Sequence, residues 1–269
     1  MLISVNLTIH NKGFLLERVL NGIWDNMTLP YEFIICFDGC TDDSVSVFEA
    51  WNKEHQGPIV KIIYMPDVFE TKANNACMRL SSGDYAIIIQ DDCIVMQKGF
   101  DEYLLKPFLV YDDVFGVSGR AAHNFTINEN SQFLKDGIVH DDRWCDLLGV
   151  CDLANNNQPA DVFAVRGSCN RGPWMVDLAK MRAIGYLDES YNPLDFDEHD
   201  AAYRARFGYN WVSGSRTVNW LGQSEWGGTR DEHGNTKPWM YKNSYKNMKL
   251  FLDRHREEIK LRHSETRPL

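Results

Sequence analysis

Four short apolar runs set the terms for the amino-terminal third of this chain: LISVNLTI (2–9), FIICF (33–37), IVKIIY (59–64) and YAIIIQ (85–90). All four are near-continuous rather than cleanly alternating, which reads as strands buried on both faces. Between them lie stretches with helical spacing. Leu16, Val19, Leu20, Ile23 and Met27 form one stripe within 14–27. Asp42, Asp43 and Ser44 offer N-cap chemistry to a second helix carrying Val47, Phe48 and Trp51. Ala73, Ala76, Cys77 and Leu80 make a third stripe, stopped by Gly83. This alternation predicts an α/β fold with a Rossmann-like, mostly parallel central sheet flanked by helices.

In such sheets ligands sit beyond the carboxyl ends of the strands. Thr8 and His10, Asp38, and the pair Asp91–Asp92 all fall at those ends, on strands one, two and four. Neighbouring carboxylates repel unless they are hydrogen-bonded or given a cation. A hard divalent ion such as Mg2+ or Mn2+ takes carboxylate and phosphate oxygens together, which suits Asp91 and Asp92; a simple polar turn at the strand end is the competing reading. Asp38, followed by Gly39, has the alternatives of reading a nucleobase N–H or capping its own turn. Further along, Asp195, Asp197, Glu198 and Asp200 put four acids into six residues at a helix start. Burial or like charge would raise one of them towards general-base work, whereas solvation would leave a plain acidic helix terminus.

The second half is less regular. Residues 120–160 read mainly as loop, and DVFAVR (161–166) as a strand. A Gly/Pro turn then leads to a helix on Trp174, Leu178, Met181 and Ile184. Residues 198–212 make another helix, ended by Gly208, with a strand beyond it. The four glycines of 222–238 and their lack of periodicity predict a mobile loop. Residues 241–260 form an amphipathic helix on Tyr245, Met248, Phe251 and Leu252. No repeat or linker divides the chain, so a single domain over 1–269 is expected.

A net charge of −10 disfavours nucleic acid or an anionic membrane as the main partner. No apolar run approaches the ~20 residues of a membrane span, and the N-terminus lacks a basic leader region. Seven cysteines without a CxxC pair fit a reduced, cytoplasmic protein. His140, Cys145 and Cys151 match no standard zinc spacing, so unrelated loop and core residues are the better reading.

The segments ISVNLTIHN, FIICFDGCTDDS, NNACMRLSSGDYAIIIQDDCIV and GYLDESYNPLDFDEHDAAYRARFGY resemble, in order and spacing, the family-two glycosyltransferases of the GT-A fold. The resemblance covers about 1–95 and 166–212, with a weaker match in YKNSYKNMKLFL. It implies a nucleotide-sugar-binding half over 1–95, an acceptor-binding half over 96–240 and a C-terminal helix over 241–269. It places Thr8 and His10 beside the nucleotide base, Asp38 on the base edge, Lys72 towards the phosphates and Asp91 next to the metal-binding Asp92. Glu198 matches the catalytic base, with Asp197 left as an alternative, and Gly172, Pro173 and Trp174 match the acceptor-side wall. The chain departs from the pattern at Phe37, Gln90 and the reversed pair Asp197–Glu198. The late metal-facing histidine is also missing near TVNWLGQSEW, which leaves His233, if its loop closes.

The implied chemistry is inverting transfer of a sugar from a nucleoside-diphosphate sugar, UDP-sugar favoured, to a hydroxyl of a glycan or glycoconjugate, with Mn2+ or Mg2+. Residues 222–238 would then close as a lid, and Trp174, Trp220, Trp226 and Trp239 have acceptor stacking and core anchoring as alternatives. The altered motifs sustain a second reading, a non-catalytic nucleotide- or sugar-binding protein on the same fold. A nucleotidyltransferase would favour a glycine-rich, basic loop after strand one, and TIHNKGFL has only one Gly and one Lys.

Overall fold

The structure is a computed structural model. It describes all residues except 133–134, 136–146, 157, 223–225 and 227–235; of 236–238 only the backbone is described. The amino-terminal alternation forms as β1 (Ile3–Ile9), α1 (Gly13–Asn26), β2 (Tyr31–Asp38), α2 (Ser44–Glu54), β3 (Ile59–Met65), α3 (Glu70–Leu80) and β4 (Tyr85–Gln90). Strands β3, β2, β1 and β4 lie side by side in that order, all parallel. The register pairs Thr8 with both Cys36 and Gln90, which aligns the functional ends of three strands.

Both faces of these strands are buried, and the period of two shows how. Phe33, Ile35 and Phe37 of β2, with Ile87 and Ile89 of β4, face the helices α1 and α2 through Leu16, Leu20, Phe48 and Trp51. The intervening Ile34 and Cys36 pack on Ala73 and Cys77 of α3, and Ala86 and Ile88 join a neighbouring cluster with Met78. Phe37, one of the departures from the pattern the chain resembles, is 2% exposed and stacks on Tyr64 at 5.5 Å.

The carboxyl half widens the sheet. β5 (Ile94–Val95) and α4 (Phe100–Val110) lead to β6 (Val114–Ser118), β7 (Ala122–Ile127) and β8 (Leu148–Ala154). Then come β9 (Val162–Arg166), β10 (Ser168–Cys169), β11 (Trp174–Asp177), α5 (Leu178–Ala183) and a 3-10 turn at Glu189–Tyr191. The chain finishes with α6 (Asp197–Tyr209), β12 (Val212–Ser215), β13 (Trp220–Leu221), α7 (Thr236–Lys260) and β14 (Glu265–Pro268). The main sheet has nine strands in the order β14-β9-β12-β6-β11-β4-β1-β2-β3. Only β9 and β11 run against the rest.

Three expectations are corrected here. Residues 120–160 hold two strands that were expected as loop: β7 and β8 pair antiparallel and, with β10, build a second three-stranded sheet. Trp174 starts a strand, not a helix: β11 inserts between β4 and β6, and its side chains are too central to sit on a surface helix. The last residues also gained a strand, β14, which pairs with β9 at the sheet edge. The C-terminal helix is where its apolar stripe put it, with Tyr245, Met248, Phe251 and Leu252 packed on Phe125, Tyr191, Phe196 and Tyr203. The expected mobile loop at 222–238 and His233 fall largely or wholly outside the described residues. So do His140 and Cys145; the other six cysteines are free thiols. Among the described residues no helix is long and apolar enough to cross a membrane.

Candidate active site

Two clefts open at the carboxyl edge of the sheet, and they share a wall. Thr8, His10, Asp38, Asp91 and Asp92 line the first together with Glu70. Glu70 and Gln90 also line the second, a cleft of about 300 Å3 that Glu198 faces from the start of α6.

The first cleft is braced by β1 and β2. The His10 N–H donates to Asp91 Oδ2 at 2.8 Å, and the His10 ring meets the Asp38 carbonyl through Nδ1 at 2.6 Å. That carbonyl is an acceptor only, so Nδ1 carries the proton. The Asp38 carboxylate accepts the backbone N–H groups of Val68 and Phe69 at 2.6 and 2.8 Å, and so holds the loop between β3 and α3. Gly39 makes this possible: its φ is +64°, and a Cβ there would lie 2.6 Å from Asp67. Asp38 therefore shapes the cleft, besides lining it.

Burial pushes the Asp91 carboxyl up to about 7, and the adjacent Asp92 adds to the rise. Asp92 is raised for the same first reason, opposed by the charges of Lys12 and Arg120. Lys72 lies half-buried on α3 and outside the residues lining either cleft; the cations that act on Asp92 are Lys12 and Arg120. Both were missed, since Lys12 lies beyond the strand end and Arg120 follows a strand that the sequence leaves indistinct.

Arg171 is the hub of the second cleft. Only 5% exposed, it donates through Nη1 to Asp197 Oδ2 at 2.7 Å. Its Nε lies 3.5 Å from Glu70 Oε1 and its Nη2 3.4 Å from Glu198 Oε2. Gln90 Nε2 donates to Glu70 Oε1 at 3.1 Å, which links this group back to the first cleft. Burial alone would raise Asp197, yet the Arg171 charge overrides it and holds Asp197 below the usual carboxylate range. Glu198 goes the other way: burial, with Asp197 beside it, raises it well above a normal glutamate against the pull of Arg171. The two acids of the pair are thus driven apart, one fixed as an anion and one poised to exchange a proton. Asp197, fully buried behind Arg171 and absent from the cleft lining, is corrected from alternative base to ion-pair partner.

The backbone that presents this pair is unusual. Asp195 and Phe196 are consecutive non-glycine residues with φ of +64° and +71°, a conformation that costs roughly 1–3 kcal/mol per residue and concentrates at functional sites. Asp200, the fourth acid of the cluster, is structural: it accepts from Arg204 Nε at 2.6 Å, His255 Nε2 at 3.0 Å and Tyr191 Oη at 3.2 Å, tying α6 to α7.

Asp195 yields a stability test. Burial pushes its pKa up to about 6, from 3.8 in the unfolded chain. The folded state then holds a proton the unfolded state has lost, so stability falls as pH rises through that window. The penalty is complete above the folded value and vanishes below the unfolded one. Asn, which tolerates positive φ, removes it. Asp195→Asn is expected to raise the unfolding free energy by about 1–2 kcal/mol at pH 7.5, after allowance for partial solvation, and to gain nothing near pH 3. Urea titrations at both pH values check this, and an equal effect at both would remove Asp195 from the pH dependence.

The acceptor-wall expectation also needs correction. Trp174 is fully buried against Phe115, with ring centroids 6.2 Å apart, so its ring is unavailable to a ligand. Gly172 and Pro173 are buried too; the Gly172 φ of +76° and its approach to Gln90 Oε1, where a Cβ would lie 2.6 Å away, make the turn a support for the cleft floor. Of the other tryptophans, Trp220 lies under Arg120, Trp226 under Arg18, and Trp239 stacks on Phe69. The wall that does face the second cleft is Arg120, His123, Phe125, Asn170, Phe196 and His199. Its histidines gave no sequence signal, because they become neighbours only when β7 meets α6.

The model of glycosyl transferase family 2 matches residues 4–157, more than half of the chain. The chain belongs to this family. No curated protein matches the sequence. Among solved structures, the mannosyltransferase PcManGT from Pyrobaculum calidifontis, in complex with GDP-Man and Mn2+, is 14% identical with a TM-score of 0.55 over 95% of this chain and 75% of its own. GalNAc-T7 with UDP, GalNAc and Mn2+ is 12% identical with a TM-score of 0.60, over 81% and 44%. TarS from S. aureus in complex with UDP is 10% identical with a TM-score of 0.53, over 81% and 59%. The chain spans about three-fifths of that TarS structure. At these identities the likeness establishes the fold, GT-A, with its large sheet flanked by helices.

Among the described residues no group of three His, Cys, Asp or Glu side chains is arranged to hold a metal ion. Asp91 and Asp92 nonetheless fit a divalent cation by their chemistry. They are adjacent carboxylates that burial has raised, Asp91 further by the charge of Asp92, and a hard cation relieves both.

Proposed function

We propose that the protein transfers a sugar, with inversion, from a nucleoside-diphosphate sugar to a hydroxyl of a glycan or glycoconjugate acceptor. The observation that carries this is Glu198: a raised carboxylate facing the second cleft, connected through Arg171, Glu70 and Gln90 to the carboxylates of the first. The first cleft takes the nucleotide, with Thr8, His10 and Asp38 about the base and Asp91 towards the ribose. UDP is the favoured nucleotide, as in the TarS and GalNAc-T7 complexes, with GDP the alternative that PcManGT offers.

Asp92, with Asp91 beside it, would hold Mn2+ or Mg2+, which supplies charge neutralisation to the departing diphosphate. Lys12 and Arg120, whose charges already act on Asp92, add to that field. Glu198 accepts the proton of the acceptor hydroxyl as its oxygen bonds to the anomeric carbon, while the bond to the diphosphate breaks and its electron pair leaves with the phosphate. Attack from the face opposite the leaving group inverts the anomeric centre.

Incubation with UDP-sugars and Mn2+ and detection of released UDP tests the reading. Turnover or slow donor hydrolysis is expected, and EDTA should abolish it. Asp92→Ala should lower this release by at least about 100-fold; retention of full, EDTA-insensitive release would remove Asp92 from the site.

A further inference from the structure

Four residues lining the second cleft carry a buried polar atom that makes no hydrogen bond: His123 Nε2, Arg171 Nε, Asp195 Oδ2 and Glu198 Oε2. His123 is 3% exposed and Glu198 8%, yet both line the cleft. Buried polar atoms are nearly always partnered, so several that line one cavity mark a place for a polar ligand. Glu198 is accounted for by the reaction, Arg171 Nε by the Glu70 carboxylate 3.5 Å away, and Asp195 is already hydrogen-bonded to Ser244. That leaves His123 Nε2.

His123 is held firmly. Its ring stands edge-on to Phe125 at 4.8 Å and to His199 at 5.2 Å, and Asn170, beside it in the wall, hydrogen-bonds it. Burial drives the His123 pKa down to about 4, and His199, bonded to Ser168 Oγ through Nδ1 at 2.6 Å, is also lowered by burial. Neither ring brings positive charge to this wall at neutral pH. The cleft's cations have other commitments: Arg171 is matched by Glu70, Asp197 and Glu198, and Arg120 lies over Trp220 and acts on Asp92. Asp195 adds another acid to the lining. An anionic ligand would therefore meet carboxylates here. On the other side, Phe125, Leu148 and Val150 give the cleft an apolar flank, and Val150 is 53% exposed. A pyranose ring has this same division, with hydroxyls at its edge and C–H groups on its face. A hydroxyl also serves His123 Nε2 in either tautomer, since it both donates and accepts.

We propose that the acceptor terminus recognised here is an uncharged pyranoside, with one ring hydroxyl on His123 Nε2 and its apolar face towards Phe125 and the β8 edge. This rests on the glycosyltransferase reading and makes His123 a specificity-determining residue rather than a catalytic one. A site built to hydrogen-bond a hydroxyl discriminates strongly once its own polar group is removed.

Saturation-transfer NMR on the full chain with UDP and Mn2+ present tests it. The probes are the methyl glycosides of glucose, galactose and N-acetylglucosamine, set against methyl glucuronide and glucose 6-phosphate. At least one neutral glycoside is expected to bind more tightly than either anionic sugar. His123→Phe, which keeps a flat ring against Phe125 and His199, should weaken that binding by about tenfold or more. UDP affinity by calorimetry should stay unchanged. His123→Gln, which restores a polar terminus, should recover part of the loss and stands in if the Phe variant does not fold. Tighter binding of an anionic sugar, absence of neutral binding, or wild-type affinity in both variants would each overturn the proposal. If UDP binds and is released from UDP-sugars while these outcomes occur, only the acceptor assignment fails. If UDP neither binds nor is released, the glycosyltransferase reading fails as well.

Discussion

Glu198→Gln is expected to lower sugar transfer by about 10²–10⁴-fold, the range of a lost general base, while leaving nucleoside-diphosphate affinity intact. The argument is electrostatic and geometric together. Asp197 and Glu198 are adjacent, but Arg171 donates to Asp197 at 2.7 Å and leaves Glu198 the weaker contact at 3.4 Å. Glu198 is consequently the acid that burial succeeds in raising. As a base it works only when deprotonated, so transfer should rise with pH through its raised value and level off above it. Gln keeps the size of the side chain and its place at the helix start and removes the titration. Steady-state transfer measured across pH, alongside UDP calorimetry, provides the check. A variant with full activity and an unchanged profile would return the role to another acid, of which Glu70 and Asp195 line the same cleft.

Arg171→Met should cost about 3–5 kcal/mol at neutral pH, the penalty of leaving buried charges without their partner. Three carboxylates converge on this one guanidinium, which is 5% exposed, and Asp197 behind it is fully buried. Without Arg171 the folded-state pKa values of Asp197 and Glu198 rise, because the positive charge that opposed burial has gone. An acid raised on folding takes stability away as pH increases. The deficit of the variant should accordingly be greatest above neutrality and shrink towards pH 4–5. Adding Asp197→Asn should recover part of it. Urea unfolding of the two variants at pH 7.5 and 5 measures both effects, and a loss below about 1 kcal/mol at pH 7.5 would mean that water or rearrangement supplies the missing charge.

The parts of the candidate site that were legible lie on or beside regular elements. Thr8, His10, Asp38, Asp91 and Asp92 were found because an apolar strand ends where its polar residues begin, and parallel strands put those ends together. Glu198 was visible as part of an acid cluster at the start of a helix stripe. Trp174 misled because apolar residues spaced for a helix also suit a short central strand followed by a helical turn, and periodicity over so few residues does not separate the two. β7 and β8 were obscured by their polar content; one face of that small sheet packs on α7 while residues such as Val150 and Leu153 stay exposed.

The sequence by itself determined the sheet's parallel core, the edge on which chemistry sits and the family motifs, because these follow from local periodicity and chain order. The tertiary structure alone decided which charges meet. Arg171 is 101 residues from Glu70 in the chain, and His123 is 76 from His199, yet each pair lines the same cleft. Their ionisation depends on shared burial and on distances of a few ångströms, and neither quantity exists until β7, the β10–β11 turn and the start of α6 are packed against one another.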